Sequence, residues 1–398
     1  MMIRDSATLA NLCATLREQG SFALDTEFHR EGTYMPRLFL VQVAARGTAA
    51  AIDPLAPVDL SPLLELIFDP AVETIVHAGW QDFEIFYHRT GRLPANVFDT
   101  QMAAALAGIG EEIGYANLLE KVLGVSISKI ETVTDWSARP LTKNQVQYAL
   151  DDVRYLPDLR DRLDGALGGL GRREWMRQEA RRYGDPASYE KNPRLSCLRI
   201  RGARNLPPAG LAVLQELAAW REEEAARRDV PRGRVVADEI LMEAAKRCPR
   251  SEADLRQIRG FLSREIGKIG KAMVHAVERG LAVPPGEIPI LPPGRADDPR
   301  RALLLDILDA AVRVRSHEAK IASSYLATRA EMADLVDVHL GGMDPMAARS
   351  GAPIAVLDGW RRDLVGADLV RILRGEIALV IDPSTGMPSL RPSAQRSS

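Results

Sequence analysis

The chain has 398 residues, too many for one ordinary hydrophobic core. At about 150 residues per domain, this length predicts roughly two to three domains. Hydrophobic residues make up 46% and charged residues 27%, a globular balance that excludes wholesale disorder. No apolar run approaches the roughly 18 residues that span a bilayer, and the three cysteines lack the spacing of a zinc site or a disulfide framework. We therefore expect a cytoplasmic protein with reduced cysteines and no membrane segment.

The formal net charge of −2 hides an uneven distribution along the chain. Residues 1–165 carry 14 Lys and Arg against 23 Asp and Glu, whereas residues 191–280 carry 19 against 12. An acidic block followed by a basic one suggests a carboxylate-rich site coupled to a phosphate-binding surface. Solvated helix faces would explain the same charges equally well.

The first 100 residues alternate between strand and helix patterns. Residues 21–28 alternate as a strand does, with Asp25 and Glu27 in one register and mainly apolar side chains in the other. Further strands are predicted at 38–44, 49–52 and 74–78, and a helix is predicted to begin near Trp80. Strands clustered early and helices later predict a mixed sheet with helices on its faces.

From about residue 100 onward the pattern is helical. Thr142 and Gln145 fit a capping box that opens a helix through Tyr155. Polar stretches without periodicity and Pro-rich stretches mark the boundaries between domains. The predicted units are a first domain (1–184), a linker (185–208), a helical middle domain (209–283), a Pro-rich spacer (284–298), a helical third domain (299–380) and a disordered tail (381–398).

Asp25 and Glu27 are one residue apart on a predicted strand, so their side chains leave the same face. Two ionised carboxylates in apolar surroundings cost on the order of several kcal/mol unless a positive charge compensates them. A divalent metal is the natural compensation, because hard cations prefer oxygen ligands. Taken alone, the pair is more simply explained by an edge strand with a solvated face.

Two other positions carry candidate chemistry. Asp82 lies in the first turn of the helix after Gly79, where the helix dipole favours a carboxylate, and taken alone it is better explained as a favourable helix start. Tyr148 and Asp152 are four residues apart and share one face of the capped helix. An amphipathic helix with a packed Tyr and a solvated Asp is the alternative.

Taken together, these residues resemble the tyrosine branch of the DEDD exonuclease superfamily. The motif elements occur in order: Asp25-Thr26-Glu27, Asp82 after His77-Ala78-Gly79, and Tyr148 with Asp152. The other branch would place a histidine at position 147, where this chain has Gln147.

The resemblance narrows to the RNase D family. The stretches that resemble its catalytic-domain landmarks are 24–28, 33–36, 40–42, 77–79, 98–101 and 135–141. Asp229-Val230-Pro231 with Asp238 resembles an HRDC domain (helicase and RNase D C-terminal), and residues 319–374 resemble a second, more divergent copy. The resemblance implies an α/β RNase H-like 3′–5′ exonuclease domain with a mixed central sheet flanked by helices, followed by two all-α HRDC-like domains.

The same resemblance implies a metal-dependent 3′–5′ exoribonuclease that releases 5′-mononucleotides by two-metal-ion hydrolysis. Its substrates would be RNA, namely the 3′ ends of precursor tRNA and other small structured RNAs. Two divalent ions, Mg²⁺ or Mn²⁺, would be held by Asp25, Glu27, Asp82 and Asp152, and Tyr148 would orient the attacking water. No obligatory protein partner is evident.

Arg139 is a candidate phosphate contact, with a structural salt bridge as the equal alternative, and His77 is a packed residue near the site or a weaker candidate for a substrate contact. Three alternatives to the whole function remain at this point. They are a 3′–5′ DNA exonuclease with the same carboxylates, a catalytically inactive RNA-binding module and an interaction scaffold. The paired helical domains, with no polymerase or helicase motif, favour RNA.

Overall fold

The computed structural model describes residues 1–127, 134–190, 192–284, 286, 298–346 and 354–393. Within these residues, the first domain is built on a six-stranded mixed sheet of order β1-β4-β3-β2-β5-β6. Its strands are β1 (Met2–Ile3), β2 (Ser21–His29), β3 (Arg37–Ala45), β4 (Thr48–Ile52), β5 (Glu73–Val76) and β6 (Val97–Asp99). The central strand β2 pairs antiparallel with β3 and parallel with β5, so the strand predicted to carry two acids lies inside the sheet rather than at its edge.

Helices surround this sheet, as predicted. They are α1 (Ser6–Gln19), α2 (Ser61–Ile67), α3 (Trp80–Thr90), α4 (Thr100–Leu106), α5 (Tyr115–Leu123), α6 (Lys143–Arg154), α7 (Leu156–Gly169) and α8 (Arg173–Ala180). Helix α6 lies against β2, β3 and β4 and shares a small apolar cluster with the sheet, in which Ala149 and Leu150 join Leu40 and Ala51. This packing fixes α6 over the strand that carries Asp25.

The described residues of the predicted linker (185–208) form short turns. A 3₁₀ turn at Arg181–Gly184 precedes the linker, and further 3₁₀ turns follow within it at Pro186–Ser188, Pro193–Arg199 and Ala203–Asn205. Tyr183 and Tyr189 are fully buried in the core of the first domain, whereas Cys197 is buried in the core of the middle domain. Composition indicates a polar stretch. It does not reveal the buried side chains that attach one end of the segment to the core of the first domain and the other end to the core of the middle domain.

The middle domain is an all-α unit with its own core. Its helices are α9 (Pro208–Arg228), α10 (Arg232–Val235), α11 (Asp238–Arg247), α12 (Glu252–Leu255) and α13 (Ser263–Leu281). Leu214, Leu241 and Met273 are fully buried and belong to an apolar cluster separate from that of the first domain. The Pro-rich spacer 284–298 that follows lies largely outside the described residues.

The third domain packs into the first. Its helices are α14 (Pro299–Ala319), α15 (Ser323–Leu326), α16 (Arg329–Leu340), α17 (Gly359–Arg361) and α18 (Ala367–Leu373), with a π-helical turn between the last two. Leu308, Val336 and Leu369 are fully buried and belong to the same apolar cluster as the core of the first domain. The indole rings of Trp175 and Trp360 stack with their centroids 4.8 Å apart.

The prediction of a disordered tail is wrong for its first half. Strands β7 (Ile377–Ile381) and β8 (Pro388–Pro392) pair antiparallel as a hairpin, with Leu379 opposite Leu390. Alternating apolar residues in this Pro- and Ser-rich stretch supply the inner face, which composition alone hides. Residues 394–398 lie outside the described residues, and across the described chain no helix is both long and apolar enough to traverse a bilayer.

Candidate active site

Strand β2 presents Asp25 and Glu27 on one face because side chains alternate along a strand. Thr26, between them, is buried and points to the opposite face, where its hydroxyl donates a hydrogen bond to the carboxylate of Asp82. The tripeptide Asp25-Thr26-Glu27 thus supplies two of the four predicted acids and holds a third, Asp82, by a hydrogen bond.

A tight turn places Asp82 beside this strand. Strand β5 ends at Val76, and Ala78 adopts a left-handed backbone conformation (φ 56°) before Gly79 caps α3. Such a φ is uncommon for a residue with a Cβ atom. A Cβ at Gly79 would lie 2.7 Å from the Val76 side chain, so only glycine fits between the strand and the helix. The turn directs the first helical turn, with Asp82, towards β2.

Asp99 holds this turn in place. Its Oδ1 accepts hydrogen bonds from the backbone N–H of Ala78 (3.0 Å) and of Gln101 (2.8 Å), and its Oδ2 accepts one from the hydroxyl of Tyr183. The carboxylate is 2% exposed. Asp99 therefore connects the turn before α3, the start of α4 and the segment that leads to the middle domain.

Helix α6 carries Tyr148 and Asp152, and its start is the predicted capping box. The hydroxyl of Thr142 accepts from the backbone N–H of Gln145 (3.2 Å), whose side-chain Oε1 accepts from the backbone N–H of Thr142 (2.8 Å). This box fixes the register of the helix, and the four-residue spacing then places Tyr148 and Asp152 on the face towards β2.

Three of the four predicted carboxylates converge. Ligand oxygens of Asp25, Glu27 and Asp152 all lie within 4.8 Å of one another, although they come from elements far apart in the sequence. Asp82 lies outside this group of three, but it is close enough for its charge to raise the pKa of both Asp25 and Glu27. The structure therefore brings all four acids into one region, with three of them close enough to share an ion.

The carboxylates raise one another's pKa. Burial, followed by the charges of Asp82, Asp152 and Glu27, raises the pKa of Asp25 well above its ordinary value. Burial and then the charges of Asp152 and Asp82 raise the pKa of Glu27 to about 8. Burial also raises the pKa of Asp152 to about 7 and that of Asp82 to about 6. Ionising all four at neutral pH therefore requires a compensating positive charge.

Comparison with known proteins identifies the family to which the chain that carries this cluster belongs. Residues 1–167 match the 3′–5′ exonuclease family model, and residues 210–277 match the HRDC domain model. Ribonuclease D from Sphingobium indicum is 39% identical over 384 residues, which cover 96% of each chain. Ribonuclease D from Zymomonas mobilis is 39% identical over 390 residues, covering 96% of this chain and 95% of that one.

The chain belongs to the ribonuclease D family. The crystal structure of Escherichia coli RNase D, described as an exoribonuclease involved in structured RNA processing, matches with a TM-score of 0.83 and 32% identity over 94% of this chain and 98% of that one. The chain is thus a 3′–5′ exoribonuclease, a hydrolase that acts on RNA, and the predicted fold class is confirmed. This fold implies divalent metal ions, and the acidic cluster of this chain fits them.

The hydroxyl of Tyr148 holds its proton more firmly than that of a free tyrosine. Burial, followed by the charges of Asp152, Glu27 and Asp25, raises its pKa above its ordinary value. Its hydroxyl donates a hydrogen bond to Asp152, which partly offsets the burial that raises the pKa of that carboxyl. A phenol with a raised pKa is better suited to donate a hydrogen bond than to act as a general base.

Arg139 is held by contacts within the first domain. Its guanidinium donates two hydrogen bonds to Asp53, each 2.8 Å long, and the remaining N–H groups donate to the backbone carbonyls of Phe39, Trp136 and Ala138. All five donors are therefore used inside the protein. The structure supports the salt-bridge alternative and corrects the candidate role as a phosphate contact.

His77 lies behind the turn that carries Asp82. Its Nδ1 is 2.9 Å from the hydroxyl of Thr100, which itself donates to the carbonyl of Val76 at 3.0 Å. Since that hydroxyl has one proton, Nδ1 of His77 is the donor. Burial lowers the pKa of His77, which favours the neutral ring. These are the contacts of a packed residue.

Sequence reasoning missed the supporting residues Thr26, Asp99 and Tyr115. Tyr115, at the start of α5, donates its hydroxyl to the carbonyl of Asp151 (3.1 Å) and packs its ring against His77. The Thr26 contact follows from strand alternation once α3 is known to cover the other face. The contact of Asp99 with Gln101 is a local helix cap, but its contacts with Ala78 and Tyr183 and those of Tyr115 join residues more than 20 positions apart, so no local pattern indicates them.

Proposed function

We propose that this enzyme removes nucleotides from the 3′ ends of precursor tRNA and other small structured RNAs, and that it uses two divalent cations, Mg²⁺ or Mn²⁺. The observation that carries the proposal is the convergence of Asp25, Glu27 and Asp152 beside a protonated Tyr148. The products are 5′-mononucleotides, since hydrolysis leaves the phosphate on the released nucleotide.

The donor set fits hard cations. Each predicted ligand is a carboxylate, and oxygen ligands are what Mg²⁺ and Mn²⁺ prefer. The raised pKa values of Asp25 and Glu27 reflect repulsion and burial that a cation would relieve. Asp25, Glu27, Asp82 and Asp152 would hold the two cations, and the first two acids with Asp152 lie close enough to share one of them.

Each side chain then has a defined task. Bound cations supply a water of lowered pKa and stabilise the charge that develops on the attacking and leaving oxygens. Asp152 accepts the hydrogen bond of Tyr148, which places the phenol at the edge of the carboxylate group. Tyr148 orients the attacking water by hydrogen bonding and does not take its proton. Thr26 holds Asp82 in register with the strand.

The basic middle domain supports a structured RNA as the substrate. Residues 191–280 carry 19 Lys and Arg against 12 Asp and Glu, and aromatic residues make up 5% of the whole chain. This composition favours contacts to phosphates over base stacking, so affinity should fall steeply with salt. The described role of the Escherichia coli enzyme in structured RNA processing points the same way.

The test compares two adjacent carboxylates on α6. We expect full-length enzyme to release 5′-mononucleotides from a 3′-extended tRNA, with EDTA abolishing release and Mg²⁺ or Mn²⁺ restoring it. Asp152→Asn should lower the rate by at least about a hundredfold, because a direct ligand is removed. Asp151→Asn is the matched control, since Asp151 bonds to Gln147 and Arg154. It should stay within a few-fold of wild type.

Each arm has a contrary result. Activity that survives EDTA would remove the cations from the mechanism, and equal losses in the two variants would remove the specific role of Asp152. A DNA oligonucleotide with the same 3′ sequence, degraded as fast as the RNA, would favour the DNA exonuclease alternative.

A further inference from the structure

Gln42 lies directly across from Asp25 in the sheet. In the β2–β3 ladder Asp25 pairs with Gln42, and on the other side Gln42 pairs with Ala51 of β4. Residues directly opposite each other in an antiparallel pair project from the same face, with Cβ atoms about 4.5–5.5 Å apart. The amide of Gln42 is thus the cross-strand neighbour of Asp25, one of the carboxylates that would hold the cations.

The side chain of Gln42 is fully buried, and its polar atoms are unsatisfied. Its exposure is 0%, and neither Oε1 nor Nε2 has a hydrogen-bond partner among the residues that the structure describes. An unsatisfied buried amide destabilises a fold, whereas an apolar side chain of similar shape would not. The flanking residues Val41 and Val43 are buried and apolar. Stability alone therefore favours an apolar residue at position 42.

The sheet contains a second buried polar side chain without a hydrogen-bond partner, and its position can be compared with that of Gln42. Thr74 on β5 is also fully buried, and its hydroxyl also lacks a partner among the described residues. Its ladder neighbours are Phe22 and Val97, and neither of them is a candidate ligand. Thr74 is therefore an unsatisfied polar group away from the site, whereas Gln42 is one beside it.

We propose that Gln42 is a positioning residue for the metal centre: its amide Nε2, which has no partner among the described residues, would donate a hydrogen bond to the neighbouring Asp25 carboxylate when cations bind and fix the orientation of that carboxylate. The proposal rests on the proposed function, because it assumes that Asp25 is a metal ligand. The backbone N–H of Thr26 already donates to this carboxyl, and a second donor from the adjacent strand fixes its rotation. Carboxylate ligands are commonly held by such outer hydrogen bonds.

The experiment uses the full-length protein and Mn²⁺ alone, without RNA. Gln42→Leu and Gln42→Met replace the amide with an apolar side chain of comparable size. Thr74→Val removes the other unsatisfied group. Titration calorimetry gives the Mn²⁺ affinity, thermal unfolding gives Tm, and steady-state assays on a short RNA give kcat and KM.

For both Gln42 variants we expect Mn²⁺ affinity to fall by about 10- to 100-fold, with kcat falling in parallel, KM for RNA unchanged and Tm equal to or above that of wild type. Thr74→Val should share the Tm behaviour and keep wild-type Mn²⁺ affinity and kcat. Loss of affinity with unchanged or raised Tm is a result that a merely structural residue cannot give.

Two results would overturn the proposal. If the Gln42 variants bind Mn²⁺ and turn over as wild type does, the amide has no role at the site. If affinity and Tm fall together in both variants, the role of Gln42 is structural. Failure of the wild-type protein itself to bind Mn²⁺ would instead contradict the proposed function, so the two failures are distinguishable.

Discussion

The two helical domains have the same plan but join the nuclease domain in different ways. Helices α9 and α14 both have 21 residues, and each ends at a non-glycine residue with left-handed φ, Asp229 (49°) and Lys320 (55°). A four-residue helix follows in each domain, and then a helix of 10 or 12 residues, α11 or α16. This shared order supports the prediction of a second, divergent HRDC-like copy.

The contacts with the nuclease domain differ in chemistry. At the middle domain, the Asp229 carboxylate accepts hydrogen bonds from the backbone N–H groups of Tyr34 (3.1 Å) and Met35 (3.3 Å) and pairs with Arg37. At the third domain, Trp360 stacks on Trp175 within an apolar core that both domains share.

The third domain therefore shares a core with the nuclease domain, whereas the middle domain keeps its own core and is docked through polar contacts. Continuous apolar burial makes the nuclease and third domains one folding unit, since separating them would expose a large apolar surface. Exposed polar contacts are weakened by salt and reform readily. The middle domain is therefore the one that can move relative to the active site.

The largest expected effect comes from the tryptophan in the shared core. Trp360→Ala removes the stack on Trp175 and the hydrogen bond from Nε1 to Glu179 (2.9 Å), and it should lower the free energy of unfolding by about 3–5 kcal/mol. Denaturant unfolding, followed by circular dichroism and by activity on a short RNA, measures it. The matched variant is Trp220→Ala in the core of the middle domain, which should destabilise that domain and spare activity on the short RNA. Equal loss of activity in both variants would break the comparison.

The second prediction uses pH to distinguish the unfolding of the nuclease and third domains from that of the middle domain. In metal-free enzyme the pKa of Glu27 is raised to about 8 and that of Asp152 to about 7, so the folded state binds more protons than the unfolded chain. The stability that these two carboxyl groups contribute is therefore fully present below their unfolded pKa values near 4 and is lost as pH rises through about 7 to 8.

We expect the calorimetric transition of the nuclease and third domains in EDTA to lose roughly several degrees of Tm between pH 5 and pH 8. Mg²⁺ at pH 8 should restore it, and the transition of the middle domain should not move with it. A nuclease transition that is insensitive to pH would mean that the acids are not crowded as described.

The smallest effect concerns the polar docking. Asp229→Asn keeps a residue that tolerates left-handed φ but removes the charge that pairs with Arg37. The hydrogen bonds from Met35, Arg37 and Tyr34 lower the pKa of Asp229, so the ionised form is the one that docks. We expect KM for 3′-extended tRNA to rise roughly two- to tenfold, because a looser module lowers the effective concentration of its RNA-binding surface at the site.

The control for this variant is a short unstructured RNA, whose kcat and KM should not change. A parallel loss on both substrates would show that Asp229 supports the fold of the nuclease domain rather than the docking of its neighbour.

The sequence predicted the parts of the fold that depend on local chemistry. The alternation in 21–28 and the capping box at Thr142 are decided by a few adjacent residues, and both elements occur with bounds within about a residue of the prediction. Four acids in family order could likewise be found from the chain alone, because the motif fixes residue type and spacing.

Long-range contacts explain what the sequence did not predict. Asp53 lies 86 positions from Arg139, and only the fold shows that the two form a salt bridge. The core shared by the first and third domains joins residues hundreds of positions apart, and the tail hairpin depends on cross-strand pairing. No window of local periodicity contains these partners.

The segment between the nuclease and middle domains has a mechanical consequence. The Trp80 ring stacks on Tyr189 with centroids 4.5 Å apart and planes 3° from parallel, and Trp80 precedes Asp82 by two residues on α3. Because Tyr189 belongs to the segment that leads to the middle domain, we expect a displacement of that domain to be passed through this stack to α3 and so to the position of Asp82.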